Sequence, residues 1–445
     1  MAHMSKRILA LSERLYRRLL LVYPARFRRQ FGSQMTQLFL DCCRAAYEKS
    51  GAWGVVRLWL PTLADLITNA IAEHISTFIQ RLKTGTRLFN GRGWPALEGR
   101  GGNMLHITNG DSVGATLRQT GLPGDILTWK DTLHEGPTPP GLSLEQMSRI
   151  RAQFLADSAM GRYEDVLADF MQRDTMLAQY AAHKEVILWF EHDLYDQLQL
   201  IQILDWFSRH DRGKTILSLI CISAFPGIAN FVGLGQLNAG QLSSLFETRR
   251  PVTQVELTLG SEAWNAYCSP DPERLEAFLR KDTSALPFLK AALLRHLEQF
   301  PALQGGLSRT EREILEVVAS GVHNPLAIFR ATQEKEERPF MGDSTVWLYL
   351  STLSTGQKPL LRRTDGGAFA FPTIDPATGH HDSAFLEQEL VLTDEGRKAL
   401  AGQADWIRIN RGIDRWLGGV HLHGRDAVWR WDTKRETLVQ IQGTA

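Results

Sequence analysis

Between residues 104 and 222, short apolar runs alternate with longer stretches in which apolar residues recur at helical spacing. The runs predict strands at 104–108, 126–130, 186–190 and 215–222. The stretches between them predict helices at 143–157, 163–182 and 194–209. Strands that alternate with helices in this order indicate an α/β fold with a doubly wound, mostly parallel sheet.

Helical patterns also lie on both sides of this α/β region. Residues 5–83 predict three helices, of which the first ends before Pro24, and a glycine-rich stretch follows them. The chain is mostly helical again from 239 to 300. The sequence therefore predicts five parts: a helical segment 1–85, a linker 86–103, a Rossmann-like domain 104–238, a helical region 239–304 and a C-terminal domain 305–445.

The C-terminal part begins with a helix start signal. Ser308 and Glu311 form the pattern of a capping box, and further helices are predicted from Pro325 and over 344–354. Short strands are predicted at 360–363, 368–371 and 390–392, before a closing helix at 393–401. Three helices followed by a small β-hairpin are the order of a winged helix, so this part is predicted as a winged-helix-like α+β domain.

Composition narrows the class of protein. The chain has 445 residues, 43% hydrophobic and 22% charged, which is ordinary for a globular protein. Its net charge of +1 argues against a strongly basic nucleic-acid binder. Residues 1–50 are the exception, with ten Lys and Arg against three Asp and Glu. A peripheral membrane or protein contact is therefore predicted for residues 1–85.

The predicted location is the cytoplasm. The apolar stretch at 58–79 is interrupted by polar residues and is not a membrane span, and Glu13 and Arg14 break the N-terminal apolar region expected of a signal peptide. The four cysteines have no metal-ligand spacing, and they fit a reducing compartment.

Three polar clusters follow directly after predicted strands. They are Asn109-Gly110-Asp111-Ser112, the loop from Asp131 to Gly136, and Glu191-His192-Asp193. In open α/β sheets, ligands bind beyond the carboxyl ends of the strands. The sequence therefore predicts that these segments converge on one site.

The residue types predict three roles at that site. Carboxylates are the ligands that hard cations prefer, so Mg²⁺ or another divalent metal is predicted at Asp131, Glu191 and Asp193. Proton transfer is assigned to His134, Glu135 and His192. The predicted ligand-binding residues are Asn109, Gly110, Asp111, Ser112, Gln197 and Arg338.

Each assignment has an ordinary structural alternative. Asp111 or Ser112 would cap a helix, whereas a functional Ser112 would contact an anion or act as a nucleophile. His134 and Glu135 would be solvated loop residues, and Arg338 a surface arginine ahead of a helix. A phosphate-binding Walker sequence is not present.

Two resemblances to known families follow from longer segments. LHITNGDS at 105–112, WKDTLHEGP at 129–137, LWFEHDLYDQ at 188–197 and ERPFMGD at 337–343 resemble an uncharacterised bacterial family, catalogued as a domain of unknown function with a second such domain behind it. That resemblance brings no activity with it. LYRRLLLVYPARFRRQFG at 15–32 resembles the cytosolic prefix of some bacterial export permeases, although no membrane span follows it here.

Three functions are compatible with these observations, of which one is an adaptor whose basic N-terminal helices contact acidic lipid or protein. The first is binding of a phosphorylated or nucleotide-like small molecule at the strand ends, with metal-assisted hydrolysis or phosphoryl transfer as the reaction. The second is a regulator without catalysis, in which the α/β part senses a ligand and the winged helix binds DNA or a protein. The third helix, at 344–354, contains no Lys or Arg, so nucleic-acid binding has the weaker support.

Overall fold

A computed structural model describes residues 103–372, 383–425 and 428–441, together with isolated positions between Ser12 and Trp59. The chain divides into two compact units, Met1–Glu98 with Pro372–Phe385, and Gly99–Phe371 with Leu386–Ala445. None of the helices in the described part of the chain combines the length and the apolar character that a membrane crossing requires.

In the first unit, the described positions between Ser12 and Trp59 are all helical. Tyr16 stacks on Phe39 with the ring centroids 4.2 Å apart, and Trp59 meets Phe39 edge-on at 4.8 Å. These positions agree with the predicted N-terminal helices. The rest of that prediction and nearly all of the predicted linker lie outside the described residues.

The second unit contains most of the described strands and helices. In chain order the strands are β1 (Met104–Thr108), β2 (Asp125–Thr128), β3 (Gly136–Pro137), β4 (Glu185–Glu191), β5 (Ile216–Ile222), β6 (Arg250–Pro251), β7 (Leu361–Arg363), β8 (Leu390–Leu392), β9 (Ile413–Gly418), β10 (Val420–Gly424), β11 (Trp429–Asp432) and β12 (Thr437–Gln440).

The helices in chain order are α1 (Asp111–Leu117), α2 (Leu144–Asp157), α3 (Tyr163–Ala178), α4 (Leu194–Ser208), α5 (Ala239–Leu245), α6 (Gln254–Tyr267), α7 (Glu273–Leu279), α8 (Leu289–Leu297), α9 (Arg309–Ala319), α10 (Pro325–Gln333), α11 (Asp343–Ser354), α12 (Ser383–Leu386), α13 (Asp394–Leu400) and α14 (Trp406–Ile409). The predicted elements of the α/β region are confirmed, except that the helix predicted over 163–182 ends at Ala178.

The main sheet has the strand order β2-β1-β4-β5-β6 and is parallel except for the edge strand β6. From β1 the chain moves outward to β2, whereas β4 and β5 lie on the other side of β1. The strand order therefore reverses between β1 and β4. Open α/β sheets bind ligands at such a point, beyond the carboxyl ends of the two strands.

Strand β4 is buried on both faces. Ile187 and Trp189 pack into an apolar core together with residues of α1 and α5. The alternate residues of β4 point to the opposite face and are also buried. This double burial explains the continuous apolar run at 186–190. It also means that the polar residues that follow, from Glu191 onward, enter the protein interior.

The predicted helices of the C-terminal part are confirmed. Ser308 caps α9 in a capping box with Glu311, and Asn324 caps α10, which has Pro325 in its first turn. The strand predicted at 368–371 is wrong. The backbone of Ala370 there is hydrogen bonded to the Gln388 side chain rather than to another strand.

The end of the chain forms two hairpins that the sequence did not predict. Strand β9 pairs with β10 and also with the two-residue strand β3, which lies in the loop after β2. Strands β11 and β12 form the second hairpin. Residues 413–418 are therefore joined to the loop at 131–137 by backbone pairing.

Candidate functional site

Three carboxylates converge where β4 turns into α4. Glu191 is the last residue of β4, Asp193 caps the N-terminus of α4 by accepting a hydrogen bond from the Asp196 backbone N–H at 2.9 Å, and Asp196 lies in the first turn. All three are buried, and one carboxylate oxygen of each lies within 4.8 Å of the others. Glu191, Asp193 and Asp196 are called the acidic cluster below.

Asn109 joins the acidic cluster to strand β1. Its Nδ2 donates hydrogen bonds to Glu191 Oε1 at 2.9 Å and to Asp196 Oδ2 at 2.8 Å. Asn109 follows β1 and Glu191 ends β4, so these bonds cross the point where the strand order reverses. The predicted convergence of the first and third polar segments is therefore observed at this pair.

The loop after β5 closes a third side of the acidic cluster. The backbone N–H of Leu234 donates a hydrogen bond to Glu191 Oε2. A Cβ atom at Gly233 would lie 2.5 Å from Glu191 Oε1. A side chain at position 233 would therefore displace the Glu191 carboxylate from its place in the acidic cluster.

The acidic cluster is electrostatically unusual. Burial and the nearby Asp193 carboxylate raise the pKa of Glu191 to about 8, and burial raises the pKa of Asp193 to about 7. Burial and both neighbouring carboxylates raise the pKa of Asp196 well above its usual value. Among the described residues, no lysine or arginine forms an ion pair with these carboxylates. Three negative charges would therefore repel one another here without a cation.

The acidic cluster opens onto a cleft of about 500 Å³. One wall is acidic, and the opposite wall is formed by residues around the start of α11. The apolar residues of that wall are Phe329, Pro339, Phe340 and Met341. The cleft therefore combines oxygen ligands on one side with an apolar surface on the other, as many small-molecule sites do.

Arg338 is the cation whose charge reaches this region. It lowers the pKa of Asp193 against the larger opposite effect of burial, and it adds to burial in lowering the pKa of His192. Its Nη1 atom is buried and has no hydrogen-bond partner among the described residues. Arg338 itself does not line the cleft, although the next residue, Pro339, does. The predicted binding of a ligand by Arg338 stays a prediction.

Asp131 lies apart from the acidic cluster. Its carboxylate accepts hydrogen bonds from Nε and Nη2 of Arg151 at 3.1 and 2.8 Å, and both side chains are fully buried. Arg151 also donates to the backbone oxygens of Thr132 and Glu135. Asp131 is thus paired with a cation of the protein, and it is not placed with Glu191 and Asp193 as predicted.

The two other predicted residues of this loop are buried rather than solvated. Glu135 forms an ion pair with Arg415 at 2.8 Å and accepts a hydrogen bond from the Tyr349 hydroxyl. His134 lies edge-on to Phe340, and neither of its ring nitrogens has a hydrogen-bond partner among the described residues. Burial and the nearby Arg151 lower the pKa of His134 to about 3. Neither residue lines the cleft.

His192 and Gln197 lie beside the acidic cluster but do not line the cleft. The His192 ring contacts the rings of Phe231 and Phe288, and burial lowers its pKa. Gln197 donates a hydrogen bond from Nε2 to the backbone oxygen of Glu191 at 2.6 Å. Gln197 therefore supports the end of β4 from inside the core.

The segment after β1 has its polar side chains on the outside. Asp111 and Ser112 are exposed, and Asp111 pairs with Lys130 at 2.9 Å. Gly110 occupies the N-cap position of α1, and no side chain caps that helix. The alternative that Asp111 or Ser112 is a helix cap is therefore wrong, and only Asn109 of this segment lines the cleft.

Asp196 is missing from the residues predicted above. An acidic residue in the first turn of a helix is ordinarily explained by the helix dipole, and this explanation hides it. The signal that could have found it is its spacing of three from Asp193, directly after a strand that is buried on both faces. Both oxygens of Asp196 bond within the site, which a solvated helix residue would not do.

Comparison with known proteins brings no match, because neither a protein-family model nor a curated protein matches this chain. The family resemblances given above stay predictions. A function for the cleft must therefore be argued from the residues themselves.

Proposed function

We propose that the cleft beyond β1 and β4 binds a divalent cation together with a phosphorylated or nucleotide-like small molecule. The observation that carries this proposal is the acidic cluster, whose carboxylate oxygens lie within 4.8 Å of one another. Buried charges are tolerated in proteins when they are paired or coordinate a metal. Ion pairs to the acidic cluster are absent among the described residues, so these carboxylates are neutralised by protons at low pH, and above their raised pKa values a bound cation is the remaining partner.

The donor set favours a hard cation such as Mg²⁺ or Mn²⁺. Glu191, Asp193 and Asp196 offer only oxygen atoms, which suit hard cations and disfavour metals that select sulfur. Asn109 holds two of the three carboxylates through its amide nitrogen. When bound, the cation would supply positive charge to the phosphate oxygens of the ligand.

Two further features favour a phosphorylated ligand. Arg338 has a buried guanidinium nitrogen without a described partner, and arginine is well suited to phosphate oxygens. Phe340 and Met341 give the opposite wall an apolar surface for the rest of the molecule. A phosphate at the acidic cluster, with a base or ring against Phe340, would use both walls of the cleft, and Arg338 would act on the phosphate through its charge.

The reaction that fits this arrangement is metal-assisted hydrolysis or phosphoryl transfer. Phosphoryl transfer depends chiefly on positioning and on stabilising charge on the phosphate oxygens. Arg338 would neutralise part of that charge. The apolar wall would exclude water from the rest of the ligand. Neither His134 nor His192 lines the cleft, so no proton transfer is assigned to them here.

The test is thermal unfolding of the full chain at pH 8 with Mg²⁺ or Mn²⁺, alone and with ATP or inorganic phosphate as probes. Asp193→Asn is the informative variant, because asparagine keeps the helix cap and removes one charge. Asp111→Asn is the matched control, because Asp111 is an exposed carboxylate at the same edge of the sheet.

The wild type and Asp111→Asn are expected to be stabilised by the cation, and further by the phosphate probe. Asp193→Asn is expected to lose most of both shifts. Equal shifts in Asp193→Asn would overturn the proposal. Phosphate release in the same mixtures distinguishes hydrolysis from binding alone.

A second candidate function, regulation through a winged helix, is favoured by the order of elements α9 to α11 and β7 to β8. The backbone N–H of Leu390 in β8 also donates a hydrogen bond to the backbone oxygen of His323, which lies between α9 and α10. In a winged helix, the segment between the first two helices pairs with the wing in this way. However, α11 is largely buried, and its Tyr349 bonds Glu135. This favours packing on the α/β core over insertion into DNA. Salt-dependent binding of duplex DNA by the full chain would favour the regulator instead.

A further inference from the structure

The hairpin of β9 and β10 presents a second group of metal-ligating side chains. His421 and His423 are two residues apart on β10, so both point to the same face. On β9, Asp414 is directly opposite His423, and Trp416 is directly opposite His421. Opposite residues of an antiparallel pair have neighbouring side chains. Asp414, His421 and His423, called the hairpin triad below, therefore share one face.

The turn of the hairpin fixes this register. Leu417 pairs with Val420, so Gly418 and Gly419 form a two-residue loop. Gly418 has a φ of 62°, and a Cβ at Gly419 would collide with the backbone oxygen of Cys268. Tight hairpin turns of this kind select glycine. A slip of one residue would move both histidines to the other face.

The distances within the hairpin triad are close to those of a metal site. His421 Nε2 lies 2.7 Å from Asp414 Oδ1, and His423 Nδ1 lies 3.5 Å from Asp414 Oδ2. Zinc binds nitrogen and oxygen at about 2.0–2.2 Å, so two ligand atoms of a tetrahedral zinc are roughly 3.3 Å apart. One ligand atom from each of the three residues lies within 4.8 Å of the others.

We propose that the hairpin triad binds a zinc-class divalent cation, through two imidazoles and one carboxylate. Imidazole selects zinc and neighbouring transition metals rather than Mg²⁺, so this site differs in chemistry from the acidic cluster. Three protein ligands leave a fourth position of a tetrahedral ion open. His423 and Asp414 have exposed side chains, so water or a small-molecule donor can reach that position.

The surroundings support an oriented site. Trp416 stacks on the His421 ring with centroids 4.3 Å apart and an interplanar angle of 5°, which holds the imidazole in one plane. Asp414 and Trp416 also line a cavity of about 350 Å³, whose aromatic walls include Phe154, Tyr349 and Trp406. His421 and His423 do not line that cavity, so the hairpin triad is a surface site separate from it.

The competing explanation is an ordinary surface ion pair between Asp414 and a protonated His421. Such a pair would bind no metal. The two explanations differ in the role of His423, which lies 3.5 Å from the carboxylate and would contribute little to an ion pair with His421. A metal site needs His423 as a ligand.

The test is titration of the full chain with Co²⁺, followed by its visible absorption, and displacement of Co²⁺ by Zn²⁺. It is made in the Asp193→Asn background, which weakens the acidic cluster. The variants are His421→Gln, His423→Gln and Asp414→Asn. All three positions are exposed, so folding is not at risk. His210→Gln is the matched control, because His210 is an exposed histidine that also stacks on a tryptophan, Trp206.

One Co²⁺ per chain is expected, with absorption typical of nitrogen and oxygen ligands and full displacement by Zn²⁺. Loss of a residue that only supports a ligand costs about 10–100-fold in affinity, so loss of a ligand itself should cost at least about 100-fold. His210→Gln should bind as the parent does. No Co²⁺ binding by the parent, or equal affinity in His423→Gln, would overturn the proposal. Neither result bears on the proposed Mg²⁺ site at the acidic cluster, which is tested separately in the chain with Asp193 intact.

Discussion

Buried carboxylates follow two strands that flank β1, and the protein neutralises them in different ways. After β2, Asp131 is paired with Arg151 and Glu135 with Arg415. After β4, the acidic cluster has amide and backbone N–H donors but no described ion pair. Both groups are removed from water, so the difference lies in their partners and not in their burial.

This difference separates structural carboxylates from candidate ligands. A buried acid with a bidentate arginine has its charge balanced within the fold. An acid balanced only by neutral donors keeps its proton to higher pH, as the raised pKa values of Glu191 and Asp193 indicate. Below its raised pKa, such a group ionises only when a cation arrives. The comparison therefore makes the acidic cluster, and not the loop after β2, the candidate metal site.

The largest expected effect on the free energy of unfolding comes from removing the arginine partner of a buried carboxylate. Arg151→Met leaves the Asp131 charge buried without a partner, which should lower the free energy of unfolding by about 3–5 kcal/mol. Urea denaturation measures this loss. Adding Asp131→Asn to the same chain should restore much of the stability. If the double variant is as unstable as Arg151→Met alone, the loss comes from packing, and the unpaired charge of Asp131 does not cause it.

The next effect is stabilisation of the acidic cluster by a cation. At a Mg²⁺ or Mn²⁺ concentration of about 100 times the dissociation constant, the free energy of unfolding should rise by about 2.7 kcal/mol. The gain should grow as pH rises toward 8, because the carboxylates must lose their protons to bind the ion. Cation titrations followed by thermal unfolding at pH 6 and pH 8 measure it. A gain that is larger at pH 6 would contradict this account.

A smaller effect is expected for Asp193→Asn without added cation. This substitution should raise the free energy of unfolding, whereas most substitutions lower it. The pKa of Asp193 is raised to about 7 by burial, so the folded protein holds a proton that the unfolded chain releases near pH 4. Wild-type stability should therefore fall as pH rises from about 4 to 7. For an isolated group a pKa change from about 4 to about 7 corresponds to roughly 4 kcal/mol. Because Glu191 and Asp196 share the titration with Asp193, Asp193→Asn should be more stable at pH 8 by about 1–3 kcal/mol. If the free energies of unfolding of the wild type and of Asp193→Asn differ by the same amount at every pH from 4 to 8, the pKa of Asp193 is not raised.

The smallest effect is expected at the exposed end of the same sheet edge. Asp111 and Lys130 form an ion pair with largely solvated side chains. Such pairs contribute about 0–1 kcal/mol. Asp111→Asn should therefore change the free energy of unfolding by less than about 1 kcal/mol, at any pH between 5 and 8. A larger change would mean that exposure is a poor guide to the role of carboxylates here.

Most of the α/β fold is predictable from the sequence because its signals are local. The apolar run at 186–190 is long enough for one strand, and capping residues such as Ser143 and Ser308 mark helix starts. The C-terminal hairpins carry a local signal that the prediction overlooked, since Gly418 and Gly419 form a two-residue turn between β9 and β10. The third strand of that sheet, by contrast, is not local. Strand β9 is completed by β3, which precedes it by more than two hundred residues in the chain.

The candidate site is predictable only in part, for the same reason. The sequence places Asn109 and Glu191 at strand ends, and these two residues do meet. It cannot reveal that Arg151, from the middle of α2, removes Asp131 from the site. Nor does it distinguish Asp196 from an ordinary first-turn acid. Partners that come from another helix are set by packing, which periodicity and spacing do not encode.

The most direct measurement is a crystal structure grown with Mn²⁺ at pH 8 and examined by anomalous scattering. The account predicts an anomalous peak coordinated by oxygen atoms of Glu191, Asp193 and Asp196. A well-ordered structure without a peak there, with Asn109 still bonded to two of the carboxylates, would contradict it.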